Sequence, residues 1–123
     1  NGGSSPNVTP PFSSKIKTSK GIFCHEYSGA ATSSPIDQVV ETTGTTANAT
    51  TANITTSSAN QMIFSAAIFQ GQGVGGAGQT QRSSMANNCS QDRVVGAAGS
   101  YNASFTNNGS EDWAAQAISV KPQ

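Results

Sequence analysis

The clearest structural signal in the sequence is an alternation of apolar and polar residues along Tyr101–Thr106. Successive side chains of a β-strand point to opposite faces of a sheet, so this pattern predicts a half-buried strand. The turn sequence Asn107–Ser110 follows it, and Asn-Gly tolerates the positive φ angles of a type I′ turn. The segment therefore predicts a hairpin that leads into a closing strand from about Trp113 to Val120.

Other parts of the chain carry strand signals of different kinds. The run Ile22–Tyr27 is rich in β-forming residues and ends at a Ser-Gly turn. Threonine is dense over residues 42–56, where its branched Cβ favours strand over helix. Gln61–Gln70 is the most apolar stretch and predicts a central strand buried on both faces. About six to nine short strands with polar turns predict an all-β fold, a single β-sandwich or jelly-roll-like domain.

The beginning of the chain differs from the rest. Pro6, Pro10 and Pro11 stand among Ser, Gly and Asn, so residues 1–14 cannot form a helix and are interpreted as an extended N-terminal arm. Residues 15–123 then form the β-sandwich domain, since 123 residues suit one domain. We expect the arm to fray, to fold back on its own sheet, or to pair along the sheet edge of a neighbouring subunit.

Composition and charge restrict the partners of such a domain. Ser, Thr, Asn and Gln make up 50 of 123 residues, and six basic residues balance six acidic ones. Disordered chains usually combine low hydrophobicity with high net charge, so a folded chain with a thin core is predicted. The basic residues form no stripe that could neutralise phosphates, which argues against nucleic acid as a partner. No apolar run approaches the ~18 residues of a membrane span.

Three features favour an extracellular or cell-surface location. The sequence begins at Asn1, as expected after removal of a signal peptide. The even cysteine count predicts a disulfide between Cys24 and Cys89, with two buried free thiols as the alternative. Six asparagines lie in glycosylation sequons, although the Ser and Thr content alone produces some such matches: Asn7, Asn48, Asn53, Asn88, Asn102 and Asn108.

Residues that could carry catalysis are few and scattered. His25 is the only histidine, and Glu26 beside it would point to the opposite face of a strand. One histidine and two distant cysteines lack zinc-site spacing, so we expect no metal, no cofactor and no enzymatic activity. Calcium stays open as an alternative, because several carboxylates could converge in a loop: Glu26, Asp37, Asp92, Glu111 and Asp112.

A glycine-rich run, Gly71–Gly78, contains the pattern G-x-G-x-x-G twice. A dinucleotide site would need this motif to open a helix within a βαβ unit, and the Gln79–Ser84 segment that follows does not predict a helix. We therefore interpret the run as a loop between strands.

Short motifs spread over residues 22–121 carry a resemblance to a known group of proteins: Glu26–Gly29, Pro35–Asp37, Asp92–Val95, Ala98–Tyr101 and the closing strand at Trp113. Through them the chain resembles β-sandwich, jelly-roll-like modules of secreted or surface bacterial proteins. The resemblance implies a sandwich fold and no catalytic residues. The two cysteines, the Thr- and Asn-rich middle and the Pro-rich arm depart from it.

The leading functional hypothesis is a non-enzymatic extracellular structural or adhesive module, a subunit of a surface fibre or filament. Such a module would self-associate through its arm or its sheet edges. The alternative is a carbohydrate-binding module in which Tyr27 or Trp113 stacks on a glycan. A small secreted hydrolase is the third and weakest hypothesis.

Overall fold

The computed structural model describes residues 22–123 and places ten β-strands in them. Every pairing between strands is antiparallel, so the prediction of an all-β fold is confirmed. Within the described residues, no helix has the length and apolarity needed to cross a membrane. The strands are β1 (Ile36–Gly44), β2 (Asn48–Thr50), β3 (Ile54–Thr56), β4 (Gln61–Phe69), β5 (Gly73–Gly75), β6 (Thr80–Met85), β7 (Asn88–Val95), β8 (Gly99–Tyr101), β9 (Ser104–Asn107) and β10 (Trp113–Val120).

One layer is a five-stranded sheet in the order β1-β10-β4-β7-β6. The apolar strand β4 lies at its centre, as its sequence predicts. The prediction that β4 is buried on both faces is only half right. Its inward side chains, such as Ile63 and Ala67, are buried, whereas Ile68 on the outward face is 61% exposed.

The second layer consists of a three-stranded sheet, β2-β9-β5, and a two-stranded sheet, β3-β8. The β3-β8 pair continues the β2-β9 pair beyond a short break. At the break, Thr51 N donates to Ala103 O at 2.9 Å and Ala103 N donates to Thr51 Oγ1 at 3.0 Å. The strand predicted over Tyr101–Thr106 is therefore interrupted, although its alternation of buried and exposed side chains is retained.

The predicted hairpin at Asn107–Ser110 is wrong. Strand β9 pairs with β2 and β5, whereas β10 pairs with β1 and β4, so the turn carries the chain from one layer to the other. The backbone N–H of Asn108 donates to Gln72 O at 3.0 Å, which ties the turn to the neighbouring connection. Turn chemistry thus fixes the local bend, while burial of the following strand decides its partners.

A small core fills the space between the layers. Phe69 from the first layer meets Phe105 from the second edge to face, with ring centroids 6.1 Å apart. Polar side chains such as Gln61, Ser65 and Gln91 are buried as well. The thin core expected from the composition is found, and its apolar members are Ala49, Ile54, Ile63, Ala67, Phe69, Cys89, Val95, Ala103, Phe105, Trp113, Ala115 and Ala117.

The predicted disulfide is wrong, because Cys24 and Cys89 are both free thiols. Cys89 on β7 pairs with the core residue Ala67 of β4 and is fully buried, and burial raises its pKa to about 11. Cys24 is exposed on a segment that crosses the opposite face of the same sheet. The five-stranded sheet separates the two sulfur atoms.

The glycine-rich run is not a simple loop, since part of it forms strand β5. A Cβ atom on Gly73 would overlap an aromatic ring of β4, so close packing requires glycine there. The backbone N–H groups of Gly75 and Gly76 donate to Gln81 Oε1 at 2.8 Å and Gln91 Oε1 at 2.9 Å. These donors are occupied by side chains of the same chain, which leaves them unsuited to cradle a phosphate.

Candidate functional site

Residues 22–28, termed the strap, cross the outer face of the five-stranded sheet, the face turned away from the second layer. The sequence predicts a strand at Ile22–Tyr27, but the strap forms no strand ladder. Phe23 and His25 are half-buried against the sheet, while Ile22, Cys24 and Glu26 are exposed. The predicted strand is wrong because the segment lies on the face of a sheet rather than at its edge, and side chains hold it there.

Two hydrogen bonds attach the strap to β7. His25 Nε2 and Ser90 Oγ are hydrogen-bonded at 2.9 Å, and the Tyr27 hydroxyl donates to Asp92 Oδ2 at 2.7 Å. Ser90 and Asp92 are alternate residues of β7 and share its outer face, just as His25 and Tyr27 share the inner side of the strap. Alternate residues of the strap therefore lie above alternate residues of β7.

Asp92 is the electrostatic centre of this attachment. It is 4% exposed, and it also accepts hydrogen bonds from Arg82 Nε at 2.6 Å and Arg82 Nη2 at 3.0 Å. Burial acts to raise the pKa of Asp92, but the hydrogen bonds from Arg82 and Tyr27 outweigh it and hold the pKa below its usual range. Asp92 is thus an ionised, fully engaged acceptor at neutral pH.

The same contacts act on Tyr27 in the opposite direction. Burial, and then the hydrogen bond to the Asp92 carboxylate, raise the pKa of Tyr27 to about 12. The hydroxyl therefore stays protonated and keeps donating across the neutral range.

An aromatic contact completes the attachment. Phe64 on the outer face of β4 lies under the strap, with its ring centroid 5.2 Å from His25 and 6.1 Å from Tyr27. Aromatic pairs at this separation stabilise packing beyond the area they bury. The strap is thus held by the packing of His25 and Tyr27 on Phe64 and by the two hydrogen bonds to β7.

The pairing of Ser90 with His25 brings together a hydroxyl and an imidazole, as a nucleophile and base would require. Ser90 is fully buried, so its Oγ has no path to a substrate. Asp92 binds Tyr27 and Arg82, and the hydrogen bonds of the structure do not join it to the imidazole in the way a catalytic triad requires. This geometry suits a contact that holds the strap on the sheet rather than acyl transfer. The hydrogen bonds His25–Ser90 and Tyr27–Asp92 are together termed the clamp.

Sequence reasoning missed the clamp because its partners are far apart in the chain. His25 and Ser90 are separated by 65 residues, as are Tyr27 and Asp92. The two separations are equal because His25 and Tyr27 are two residues apart, as are Ser90 and Asp92. This spacing alone does not show that the strap lies over β7.

Beside the strap, the outer face of β10 is open and forms a trough between the strap and β1. One hollow of about 680 Å³ in the trough is lined by Phe23, Glu41, Thr42, Thr43, Ala66, Ala67, Ile68, Ala114, Ala115 and Gln116. A second hollow of about 360 Å³ is lined by Phe23, His25, Tyr27, Met62, Phe64, Ile118 and Val120. The two hollows meet at Phe23. The first contains the beginning of β10 and the second contains its end, so the trough follows β10 along its length. Its floor consists mainly of alanine and aliphatic side chains, with the exposed amide of Gln116 among them.

A separate hollow of about 260 Å³ lies on the other side of Tyr27. Asn60, Arg82 and Lys121 bring polar groups to it, and the Tyr27 side chain is 37% exposed. Trp113 is only 7% exposed and its indole packs against Gly44, so the ring is not available for stacking on a ligand. Of the two aromatic residues considered for stacking, the structure leaves Tyr27 accessible.

The predicted glycosylation sites lie mostly on the surface. Asn88 is half-buried and its Oδ1 accepts a hydrogen bond from Phe69 N at 3.2 Å, which makes it the least suited to carry a sugar. Asn7 lies outside the described residues. The exposed ones are Asn48, Asn53, Asn102 and Asn108, and their occupancy stays a prediction.

The acidic residues considered for calcium do not converge. Across residues 22–123, no group of three or more His, Cys, Asp or Glu side chains lies close enough to hold a metal ion. Asp37 Oδ2 instead accepts hydrogen bonds from Ser57 N and Gln61 Nε2, each at 2.8 Å, and these contacts lower its pKa. Asp37 and Asp92 thus stabilise the local structure by accepting hydrogen bonds from neighbouring residues.

Together the two layers, the strap and the trough define an antiparallel β-sandwich with one partly covered outer face. No family model matches the sequence, and no curated protein and no solved structure gives a match to the chain.

Proposed function

We propose that this protein is a non-enzymatic extracellular structural or adhesive module that self-associates, as the subunit of a surface fibre or filament. The observation that supports this most directly is the apolar outer face of the five-stranded sheet. Ile68, Val39 and Val94 are 61%, 56% and 66% exposed there, in a chain with only 34% hydrophobic residues. Burying one such side chain contributes roughly 1.5–3 kcal/mol, so covering this face strongly favours association.

The edges of the same sheet support a second mode of contact. Among the described residues, strand β1 pairs only with β10 and strand β6 only with β7, so each offers one side of its backbone to a further strand. Open edges of this kind are templates for strand addition by another chain. Self-association through edges and through the outer face can operate together in a filament.

The extracellular assignment is supported by composition and by accessible sequons. A surface dominated by Ser, Thr, Asn and Gln with few charges suits a secreted module, and four sequon asparagines are exposed. The resemblance to β-sandwich modules of secreted or surface bacterial proteins supports the same assignment, since the sandwich it implies is present.

The experiment that tests the proposal compares two lysine substitutions by size-exclusion chromatography with light scattering. Ile68→Lys places a charge in the trough, and Val74→Lys places one on β5 in the other layer, where Val74 is 46% exposed. We expect wild type and Val74→Lys to exceed the 12.5 kDa of one chain and Ile68→Lys to elute as a monomer. Assembly that survives Ile68→Lys unchanged would remove the outer face from the proposal.

A carbohydrate-binding function is the second candidate, because the accessible Tyr27 ring borders a hollow that also contains Asn60, Arg82 and Lys121. An aromatic face beside amide and charged groups is a common arrangement for holding a sugar. Saturable binding on a glycan array by a protein that stays monomeric would favour this candidate over self-association.

A further inference from the structure

The direction of the strap fixes where its first residue, Ile22, lies on the sheet. His25 and Tyr27 meet Ser90 and Asp92 in the same order, so the strap runs parallel to β7 and antiparallel to β4. Phe23 accordingly lies near the end of β4, in the hollow that contains Ile68. Ile22, the first described residue, therefore lies towards the end of the sheet where β10 begins.

We propose that the trough of one copy binds residues 8–17 of a second copy, laid extended along β10 beside the resident strap. This inference rests on the self-association proposed above and names the two surfaces that meet. It moves the predicted contact of the N-terminal arm from a sheet edge to a sheet face.

The apolar residues of the segment match the trough in spacing and length. Phe12 and Ile16 follow the proline pair and are four residues apart, so in an extended chain both point the same way. Val8 precedes Pro10 and Pro11, whose fixed φ of about −65° does not keep the period of two. From Val8 to Ile16 an extended chain covers roughly 26 Å, at about 3.3 Å per residue. Strand β10 has eight residues and about the same length. The alanine side chains of the floor, Ala66 and Ala114, leave room for large side chains from above.

Charge favours the same occupant. Glu41 lies on the β1 side of the trough and is exposed, and it forms no ion pair with another described residue. Lys15 and Lys17 flank Ile16 in the sequence, so both point away from the floor when Ile16 points into it. Either ammonium group can then approach the carboxylate at the rim.

A second copy is the occupant because the inference rests on self-association, and the trough is the apolar surface through which copies are proposed to meet. Residues 18–21 join the segment to the strap, and the five steps from Lys17 to Ile22 span at most about 18 Å, so the accepting trough must lie that close to the donor's strap. Each copy would donate one segment and accept another, and such a head-to-tail contact generates a ring or an open filament.

Photo-crosslinking in the full chain tests this inference. Phe12 is replaced by p-benzoyl-phenylalanine, chains with ¹⁴N and ¹⁵N are mixed before assembly, and the products of irradiation are mapped by mass spectrometry. We expect cross-linked dimers that contain one light and one heavy chain, with the bond on trough residues such as Ile68. Ala114→Trp fills the floor and should lower the yield by about tenfold. Ala97→Trp, at an exposed site outside the trough, should keep the yield.

Other results would overturn the inference. Cross-links confined to single chains place the segment in its own trough, and cross-links to residues outside the trough, or none at all, remove the trough as its site. In each of these cases the self-association proposal still stands if the wild-type chain has a mass above 12.5 kDa in solution. A monomeric wild-type chain would contradict both.

Discussion

Replacing Tyr27 by phenylalanine removes one hydroxyl group and keeps the ring that packs on Phe64. The lost hydrogen bond, 2.7 Å long, ends on a carboxylate that is only 4% exposed. A hydrogen bond to a charged group contributes about 1.5–3 kcal/mol to stability. Tyr27 is 37% exposed, and Arg82 still holds Asp92 in the variant, so the expected loss lies at the low end, about 1.5 kcal/mol.

Urea unfolding followed by the fluorescence of the single tryptophan, Trp113, measures this loss. With a urea m-value of about 2 kcal/mol per M, the midpoint of Tyr27→Phe should fall by roughly 0.75 M with the m-value unchanged. Tyr101→Phe is the matched control, because the Tyr101 hydroxyl donates to a neutral acceptor, Ala97 O, at 2.9 Å in an exposed setting. We expect the control to lose about 0.5 kcal/mol.

The urea midpoints of the two variants could also show that the hydrogen bond to Asp92 does not hold the strap. If Tyr27→Phe unfolds at the wild-type midpoint, or loses less than Tyr101→Phe, the strap is not held by Asp92. Hydrogen exchange gives a second reading, since the strap amides should exchange faster in Tyr27→Phe alone.

Three further predictions follow from the same structure. The pKa of Tyr27 is about 12 in the folded protein and 10.0 ordinarily, so the stabilisation by its hydroxyl group is present below pH 10 and should be lost between pH 10 and 12. Once the hydroxyl group has lost its proton, wild type and Tyr27→Phe should unfold at the same urea concentration. A difference in midpoint that persists there would contradict this prediction. Iodoacetamide should label Cys24 but not Cys89 in the native protein and both after denaturation, as read by intact mass; thiols that react only after reduction would restore the disulfide. Gly73→Ala should destabilise by about 1–3 kcal/mol through overlap with the core, whereas Gly96→Ala, with open space around its Cβ position, should change stability by under about 1 kcal/mol in urea unfolding. Equal effects of the two would show that the Gly73 site can relax.

The sequence was sufficient to predict the elements whose signal is local. The apolar run at Gln61–Gln70 and the closing strand from Trp113 to Val120 appear as β4 and β10. Both are largely apolar segments, and both lie inside the five-stranded sheet with a neighbouring strand on each side. The interruption at Asn102–Ala103 is invisible in such a pattern, because alternation continues through it.

Features that depend on tertiary placement could not be predicted. Alternation in Ile22–Tyr27 is the same whether the segment pairs at a sheet edge or lies on a sheet face, so the strap was expected as a strand. The even cysteine count suggested a bond, yet the two side chains lie on opposite sides of one sheet. The clamp on Ser90 and Asp92 required knowledge of what crosses β7, and no local signal marks it.

The central claim, that the outer face brings copies of this chain together, is tested most directly by sedimentation equilibrium of the full wild-type chain over a range of concentrations. We predict a weight-average mass that rises with concentration from 12.5 kDa towards multiples of it. A mass that stays at 12.5 kDa at every concentration would contradict the claim.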